Sequence, residues 1–240
     1  MKILNKLSLA LNLILLVLVG FLVLKNDGKT ETKKQPEKKP AVKTAANDFG
    51  PYYNQKKSLF EVLPNTPHEI IFLGNSITDY CEWAELFQNP AMKNRGIGGD
   101  VTRGVLARLK EVTESKPDKI FIMIGINDLC RGIPSDTVLL NYRKILDQIA
   151  ADSPDTRVFV ESVLPMAPPH SIKENDTVVV FNEKLKKLTI EKSLPFINLH
   201  DRFTDSKGLL KQDFTIDGIH LTGKGYLQWK QMIEDYVNKP

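Results

Sequence analysis

The chain has 240 residues, enough for one sizeable domain with an appendage, and 42% of them are hydrophobic, as in ordinary globular proteins. Its net charge of +4 is concentrated near the N-terminus, where residues 25–48 carry seven lysines against four acidic residues. The remainder is close to neutral, which argues against a nucleic-acid-binding protein. With only two cysteines, Cys81 and Cys130, a disulfide scaffold is excluded, and we expect both thiols to be free and buried.

Residues 1–25 predict a membrane anchor. The segment Leu7–Leu24 holds 18 residues without charge, which reaches the lower limit for a spanning helix and exceeds a usual signal-peptide core. No small-residue cleavage site follows, so an uncleaved anchor is favoured over a cleaved signal. Counting lysines would place the C-terminal side in the cytoplasm, but the short N-terminal flank is typical of export. We expect the domain to lie on the periplasmic or extracellular face.

The segment from residue 26 to residue 48 is rich in Lys, Pro and Thr and has almost no large apolar side chain. Such a composition cannot form a core and predicts a flexible linker. The folded domain is therefore expected to span residues 49–240.

Predicted strands and helices alternate along this domain. A short helix over 52–63 comes first, and a capping Ser135 is expected to open the fourth helix. The predicted strands are 69–73, 91–95, 119–124, 157–164 and 195–199, and the later helices are 82–87, 102–114, 135–149, 177–192 and 222–237. This alternation predicts an α/β fold with a parallel sheet and helices on both faces.

Polar and glycine-rich turns follow the first three predicted strands. Ser76 comes after strand one, Gly99 after strand two and Asn127 after strand three, while Asp217 and His220 precede the last helix. Because ligands bind beyond the carboxyl ends of parallel strands, we expect these residues to gather at one edge of the sheet.

These residue types suit nucleophilic catalysis by serine. A serine hydroxyl needs a base to take its proton, and histidine titrates near neutral pH. In Asp217-x-x-His220 a carboxylate lies one short turn before the imidazole and can fix its tautomer. His68, His170 and His200 lack this spacing. His68 should also lie at the opposite end of the sheet.

Three donors could stabilise the oxyanion of a tetrahedral intermediate. They are the backbone N–H groups of Ser76 and Gly99 and the side-chain amide of Asn127. Each residue also has a purely structural interpretation. In it, Ser76 merely caps a helix, Gly99 merely forms a turn and Asn127 merely opens a helix.

Four segments together resemble the blocks of the SGNH (GDSL-type) hydrolases. They are Gly74-Asn75-Ser76-Ile77-Thr78-Asp79, Asn94-Arg95-Gly96-Ile97-Gly98-Gly99-Asp100, Gly125-Ile126-Asn127-Asp128 and Asp217-Gly218-Ile219-His220-Leu221. Their order and spacing match across about residues 68–238. The second block, continued through Val101-Thr102-Arg103, is especially similar to the branch of the platelet-activating-factor acetylhydrolase catalytic subunits.

The resemblance implies a flavodoxin-like three-layer α/β/α sandwich with a five-stranded parallel sheet. It also implies ester hydrolysis through an acyl-enzyme, with no metal or organic cofactor. The nucleophile would be Ser76, the acid and base Asp217 and His220, and the oxyanion donors Gly99 and Asn127 with Ser76. One departure is Asn75, which stands where the family usually has aspartate.

The sequence thus predicts a membrane-tethered serine esterase that removes a short acyl group from carbohydrate or a lipid head group. The family branch favours acetyl. Asp79, Trp83 and His170 are candidate substrate-binding residues, with Tyr80 as a further substrate-facing candidate, although core packing would also explain Trp83. A lysophospholipase or thioesterase with the same triad is one alternative, and a catalytically silent glycan-binding module is another.

Overall fold

The computed structural model describes residues 49–170 and 172–239. The predicted anchor and the predicted linker both lie outside these residues. Within the described part of the chain, every helix is too short or too polar to cross a membrane. The described residues form the α/β domain discussed below.

Five parallel strands form one sheet in the order β2-β1-β3-β4-β5. They are Ile70–Gly74 (β1), Met92–Gly96 (β2), Lys119–Met123 (β3), Arg157–Glu161 (β4) and Phe196–Ile197 (β5). The chain runs from β1 to β2 on one side and then returns to add β3 on the other side of β1. This reversal of strand order creates a crevice at the carboxyl ends of β1 and β3, where open α/β sheets bind ligands. The predicted five-stranded parallel α/β fold is confirmed.

Short and long helices connect the strands. They are Pro51–Phe60 (α1), Ser76–Asp79 (α2), Trp83–Phe87 (α3), Thr102–Ala107 (α4), Leu109–Thr113 (α5), Ile126–Cys130 (α6), Ser135–Asp152 (α7), Ile172–Glu191 (α8), His200–Phe203 (α9) and Gly223–Asn238 (α10), with a 3₁₀ turn at Gln212–Phe214.

Three predicted helix boundaries differ from the structure. The helix expected over 102–114 is interrupted at Arg108, which has φ −123° and ψ 13°, because that side chain turns into the core. Helix α8 begins inside the segment expected to be a loop. Pro134 occupies the N-cap of α7, so the prediction that Ser135 caps it is wrong; the Ser135 hydroxyl instead accepts a hydrogen bond from Lys184.

The central strands β1 and β3 are buried along their whole length, because helices cover both faces of a parallel sheet. Aromatic rings fill one of these faces. Phe72 stacks on Trp83 with ring centroids 3.8 Å apart and on Phe121 at 5.2 Å. This packing fixes α3 against the strand that leads to Ser76.

The thiols of Cys81 and Cys130 are both free, as predicted. Cys81 is buried, but Cys130 is exposed at the end of α6, so the prediction that both are buried is wrong for Cys130.

Glycine at the end of β1 lets α2 turn directly over the sheet. A Cβ on Gly74 would lie 2.2 Å from Oγ1 of Thr78 and 2.6 Å from the carbonyl oxygen of Met123. A Cβ on Gly96, at the end of β2, would lie 2.2 Å from the backbone nitrogen of Asp79. Any larger residue at either position would push α2, and Ser76 with it, away from the strand ends.

A buried ion-pair network joins the ends of these strands. The Arg108 side chain is fully buried and pairs with Asp100 at 3.0 Å and with Glu111 at 2.9 Å. It also donates to the carbonyl oxygens of Arg95 at 2.9 Å and Gly74 at 3.3 Å. One guanidinium thus ties the last residue of β1, the end of β2 and the following turn together.

We expect Arg108→Met to lower the free energy of unfolding by about 3–5 kcal/mol, because the buried Asp100 carboxylate loses its only cationic partner among the described residues and Glu111 keeps only Arg95. Burial raises the pKa of Asp100 to about 6, even though Arg108 lowers it, so removal of Arg108 raises this pKa further. The folded variant then holds a proton that the wild type has released above pH 6. The loss of stability is therefore larger at pH 8 than at pH 6, as urea denaturation at the two values would measure.

The control for this experiment is Arg202→Met, since Arg202 is exposed on α9. It should change stability by no more than about 0.5 kcal/mol. Equal losses for the two variants, or a loss that shrinks with rising pH, would contradict the role given to Arg108.

Candidate active site

Ser76, His220 and Asp217 form a hydrogen-bonded chain at the carboxyl edge of the sheet. Nε2 of His220 lies 2.9 Å from Oγ of Ser76, and its Nδ1 lies 2.5 Å from Oδ2 of Asp217. Ser76 is the first residue of α2, and His220 belongs to the loop before α10, 144 positions away. The imidazole is placed to accept the hydroxyl proton, with a carboxylate behind it.

The Asp217 carboxylate is held by its own loop as well as by the imidazole. Its Oδ1 accepts hydrogen bonds from the backbone N–H groups of Ile219 at 3.0 Å and His220 at 2.8 Å. Partial burial raises the pKa of Asp217, but the hydrogen bonds from the His220 ring and these N–H groups outweigh it and lower the pKa to about 2. The side chain is therefore an anion across the whole neutral range.

The predicted oxyanion donors border the same space. Ser76, Gly99 and Asn127 all line the cavity above the Ser76 hydroxyl. The Ser76 N–H is the first of its helix and points away from the helical hydrogen-bond ladder. Gly99 has φ +77°, a conformation that glycine adopts readily, and Asn127 uses its amide to hold the carbonyl oxygen of Asp100 at 2.9 Å. An amide nitrogen has two hydrogens, so Asn127 retains a second donor for a ligand.

Asn75 and Asn94 hold the nucleophile helix at its two ends. Oδ1 of Asn75 accepts from the N–H of Ile77 at 3.0 Å, so the amide performs the capping that an aspartate could perform. Nδ2 of Asn94 contacts the carbonyl oxygens of Thr78, Asp79 and Cys81 at 2.9–3.0 Å. Helix α2 has only one turn, and these contacts replace the stability that its length does not provide.

The cavity around Ser76 has a volume of about 590 Å³. Its lining includes Tyr80, a predicted substrate-facing residue, whose ring centroid lies 5.0 Å from that of His220. Tyr52 and Ile219 also line the cavity and are absent from the predicted site. Nothing in the sequence near Tyr52 indicates a site, because its position depends on how α1 docks against the Gly98 turn.

Two of the three predicted substrate-binding residues are structural. Trp83 is 1% exposed, stacks on Phe72 in the core and donates its ring N–H to the carbonyl oxygen of Thr78, so the prediction that it binds substrate is wrong. The Asp79 side chain is 3% exposed and bonds Tyr52, Lys56 and the N–H of Gly98. The Asp79 side chain supports the cavity wall but does not line the cavity, so the prediction that Asp79 contacts substrate is also wrong.

His170 is partly exposed and lies 3.8 Å from Glu174, outside the lining of the cavity around Ser76. Its predicted contact with substrate stays a prediction. His68 pairs with Asp118 at the opposite end of the sheet, and His200 is buried with its Nδ1 3.3 Å from Oγ1 of Thr204. Among the histidines in the described part of the chain, His220 is the one that contacts Ser76.

No group of three metal-ligating side chains, counting His, Cys, Asp and Glu, comes together within the described residues.

The model of the GDSL-like lipase/acylhydrolase family matches residues 72–227, which include Ser76, Asp217 and His220. The protein belongs to this family. It is an ester-hydrolysing enzyme, and the predicted resemblance to the GDSL-type hydrolases is confirmed. The alternative of a silent binding module therefore loses its support.

Known relatives agree in sequence and fold. The human platelet-activating factor acetylhydrolase IB subunit alpha2 is 29% identical over 174 residues, which cover 66% of this chain and 71% of the relative. A solved structure from Streptococcus pneumonia named for platelet activating factor is 29% identical, with a TM-score of 0.69 over 78% of this chain and 91% of that one. An acetylxylan esterase from Geobacillus stearothermophilus shares the fold at 20% identity, with a TM-score of 0.59 over 73% and 96% of the two chains.

We expect Ser76→Ala and His220→Ala each to lower kcat for an ester by about 10⁴-fold or more, because the hydroxyl and its base act as a unit. Each variant should unfold within about 1–2 kcal/mol of the wild type, since Ser76→Ala loses one partly exposed hydrogen bond and His220→Ala loses two. Initial rates and urea denaturation of the same preparations would measure both effects.

His170→Ala is the matched control, because it removes a histidine that does not reach Ser76. It should stay within about tenfold of the wild type. A loss as large as that of His220→Ala would show that the base is misassigned.

Proposed function

We propose that this enzyme is a serine esterase that removes a short acyl group, acetyl above all, from carbohydrate. The observation that carries the proposal is the contact of Ser76 Oγ with His220 Nε2 at 2.9 Å, with an ionised Asp217 behind the ring. The position of this pair at the base of an accessible cavity supports attack on an ester bound there.

The proposed reaction has two halves. Ser76 Oγ attacks the ester carbonyl while His220 takes the hydroxyl proton, and the oxyanion accepts hydrogen bonds from Ser76, Gly99 and Asn127. His220 then gives the proton to the departing alcohol oxygen as the C–O bond breaks, leaving an acyl-enzyme. A water molecule, deprotonated by His220, attacks the acyl carbon; His220 then returns this proton to Ser76 Oγ as the bond between Oγ and the acyl carbon breaks, which releases the carboxylic acid and restores the serine hydroxyl. The Asp217 carboxylate stabilises the imidazolium in both halves without taking its proton.

Exposed aromatic rings at the mouth of the cavity support a carbohydrate substrate. Tyr52 is 46% exposed and Tyr80 is 58% exposed, and both line the cavity that contains Ser76. Tyrosine offers an apolar ring face together with a hydroxyl, which suits the apolar face and the hydroxyl groups of a sugar. The relatives support acetyl as the acyl group, since their names describe an acetylhydrolase and an acetylxylan esterase.

We expect the full-length chain, purified in detergent, to hydrolyse p-nitrophenyl acetate with at least about tenfold higher kcat/KM than p-nitrophenyl octanoate or palmitate. Acetylated xylose and glucose should also release acetate. Ser76→Ala, tested on every ester, controls for hydrolysis by contaminants.

A kcat/KM that rises with chain length would favour the lysophospholipase or thioesterase alternative. Silence of the folded wild type on every ester would contradict the proposal altogether.

We further propose that residues 1–25 anchor the enzyme in a membrane and that its domain is exported, with residues 26–48 as a tether. The support is the uncharged run of 18 residues at Leu7–Leu24 and the polar composition that follows it. Protease added to intact cells should remove the domain and leave a cytoplasmic marker protein whole. Protection of the domain until the cells are lysed would place it in the cytoplasm.

A further inference from the structure

A second cavity adjoins the one that contains Ser76. It has a volume of about 180 Å³ and shares Gly98 and Gly99 with the first cavity. Its other walls come from the start of the domain, the turn after β2 and the end of α6, and its remaining lining residues are Phe49, Tyr53, Asp100, Val101, Arg103 and Arg131. We call this space the arginine cavity.

The two exposed charges that face the arginine cavity are both positive. Arg103 and Arg131 are exposed, and neither forms a salt bridge with a carboxylate of the described residues. Burial raises the pKa of the nearby Asp128, and the charge of Arg131 acts against this rise. The nearby acidic side chains are turned inward. Asp100 is fully buried against Arg108, and the Asp128 carboxylate is held by the backbone N–H and the hydroxyl of Thr102.

Both guanidinium groups are held in position without losing their capacity to bind an anion. Arg131 donates one N–H to the carbonyl oxygen of Gly99 at 2.9 Å, which leaves four of its five donors. Arg103 lies over the ring of Phe49 at 5.2 Å, a contact that uses the face of the guanidinium and leaves its edge open. Planar guanidinium groups bind carboxylate and phosphate through paired hydrogen bonds.

Gly99 connects the two cavities chemically. Its N–H borders the space where the ester carbonyl would react, while its carbonyl oxygen is held by Arg131. The two cavities share Gly98 and Gly99. A substrate with its acetyl ester against Ser76 could therefore place an anionic group, on the same sugar unit or an adjacent one, near Arg103 and Arg131.

We propose that the arginine cavity binds an anionic group of the substrate, a carboxylate or a phosphate, so that the enzyme acts on acetyl esters of acidic carbohydrates. This inference rests on the esterase function proposed above and specifies its substrate class. Arg103 and Arg131 are then specificity-determining residues, which act on substrate binding and not on the reacting atoms.

The experiment compares three acetylated substrates that differ only in the group at C6: an acetylated methyl glucoside, the corresponding glucuronoside, and the corresponding 6-phosphate. Acetate release gives kcat and KM for the full-length wild type, Arg103→Gln, Arg131→Gln and the control Arg202→Gln. We expect the wild type to prefer at least one anionic substrate by about tenfold or more in kcat/KM, chiefly through KM. The glucuronoside and the phosphate arms show whether the anion is a carboxylate or a phosphate.

In Arg103→Gln and Arg131→Gln the ratio of kcat/KM for the anionic substrate to that for the neutral one should fall by about tenfold. Arg202→Gln should leave this ratio as it is in the wild type. An unchanged ratio in both cavity variants overturns the proposal. An equal loss of kcat on all three substrates in Arg131→Gln, with Arg103→Gln like the wild type, overturns it too and shows that Arg131 only positions Gly99.

The two proposals can fail separately. If the wild type hydrolyses the neutral ester with the same kcat/KM as the charged ones, the esterase proposal stands and the anion-site proposal is overturned. If the wild type hydrolyses none of the esters, calorimetric titration of Ser76→Ala with the glucuronoside and the phosphate decides the anion site by itself. Binding that is lost with an added Arg103→Gln supports it, and no binding overturns it.

Discussion

The site depends on one buried cation. Arg108 has no exposed side-chain area, and it bonds the last carbonyl of β1, a carbonyl of β2 and the carboxylate of Asp100 in the turn that carries Gly99. A guanidinium keeps its charge even in a protein interior, so its partners must stay where they can satisfy it. Arg108 therefore fixes the distance between the strand that presents Ser76 and the turn that presents Gly99.

The catalytic histidine is positioned by a loop and not by a regular element. Oγ1 of Thr215 accepts the N–H of Gly218 and donates to the carbonyl oxygen of His220, each at 2.9 Å. Gly218 packs so closely on the carbonyl oxygen of Ala167 that a Cβ would lie 2.5 Å from it. These contacts fix the loop before substrate arrives, and donors and bases fixed in advance need no reorganisation during reaction.

The residues proposed for catalysis and the walls proposed to contact substrate lie on different parts of the molecule. Ser76 and the proposed oxyanion donors come from the ends of strands and the turns that follow them, which the sheet holds rigidly, and His220 comes from the loop before α10. The cavity walls come from α1, from the exposed ring of Tyr80 and from the two arginines beside Gly99. Those walls can vary without disturbing the sheet, which explains how one family can act on esters as different as its relatives' names describe.

The sequence by itself determined the parallel α/β fold, because apolar runs alternated with helical periodicity. It selected Ser76, Gly99 and Asn127 because turns after parallel strands meet at one edge, and Asp217 with His220 because their spacing lets a carboxylate orient an imidazole. It could not place Trp83, since an aromatic residue near a nucleophile packs equally well in the core or in a cleft. It also gave no sign that Arg108 joins the strand ends, that Tyr52 lines the cavity around Ser76, or that Arg103 and Arg131 line one cavity. Their positions follow from the interruption of the helix at Arg108 and from the docking of α1 against the Gly98 turn, and such long-range packing is decided only when the chain is folded.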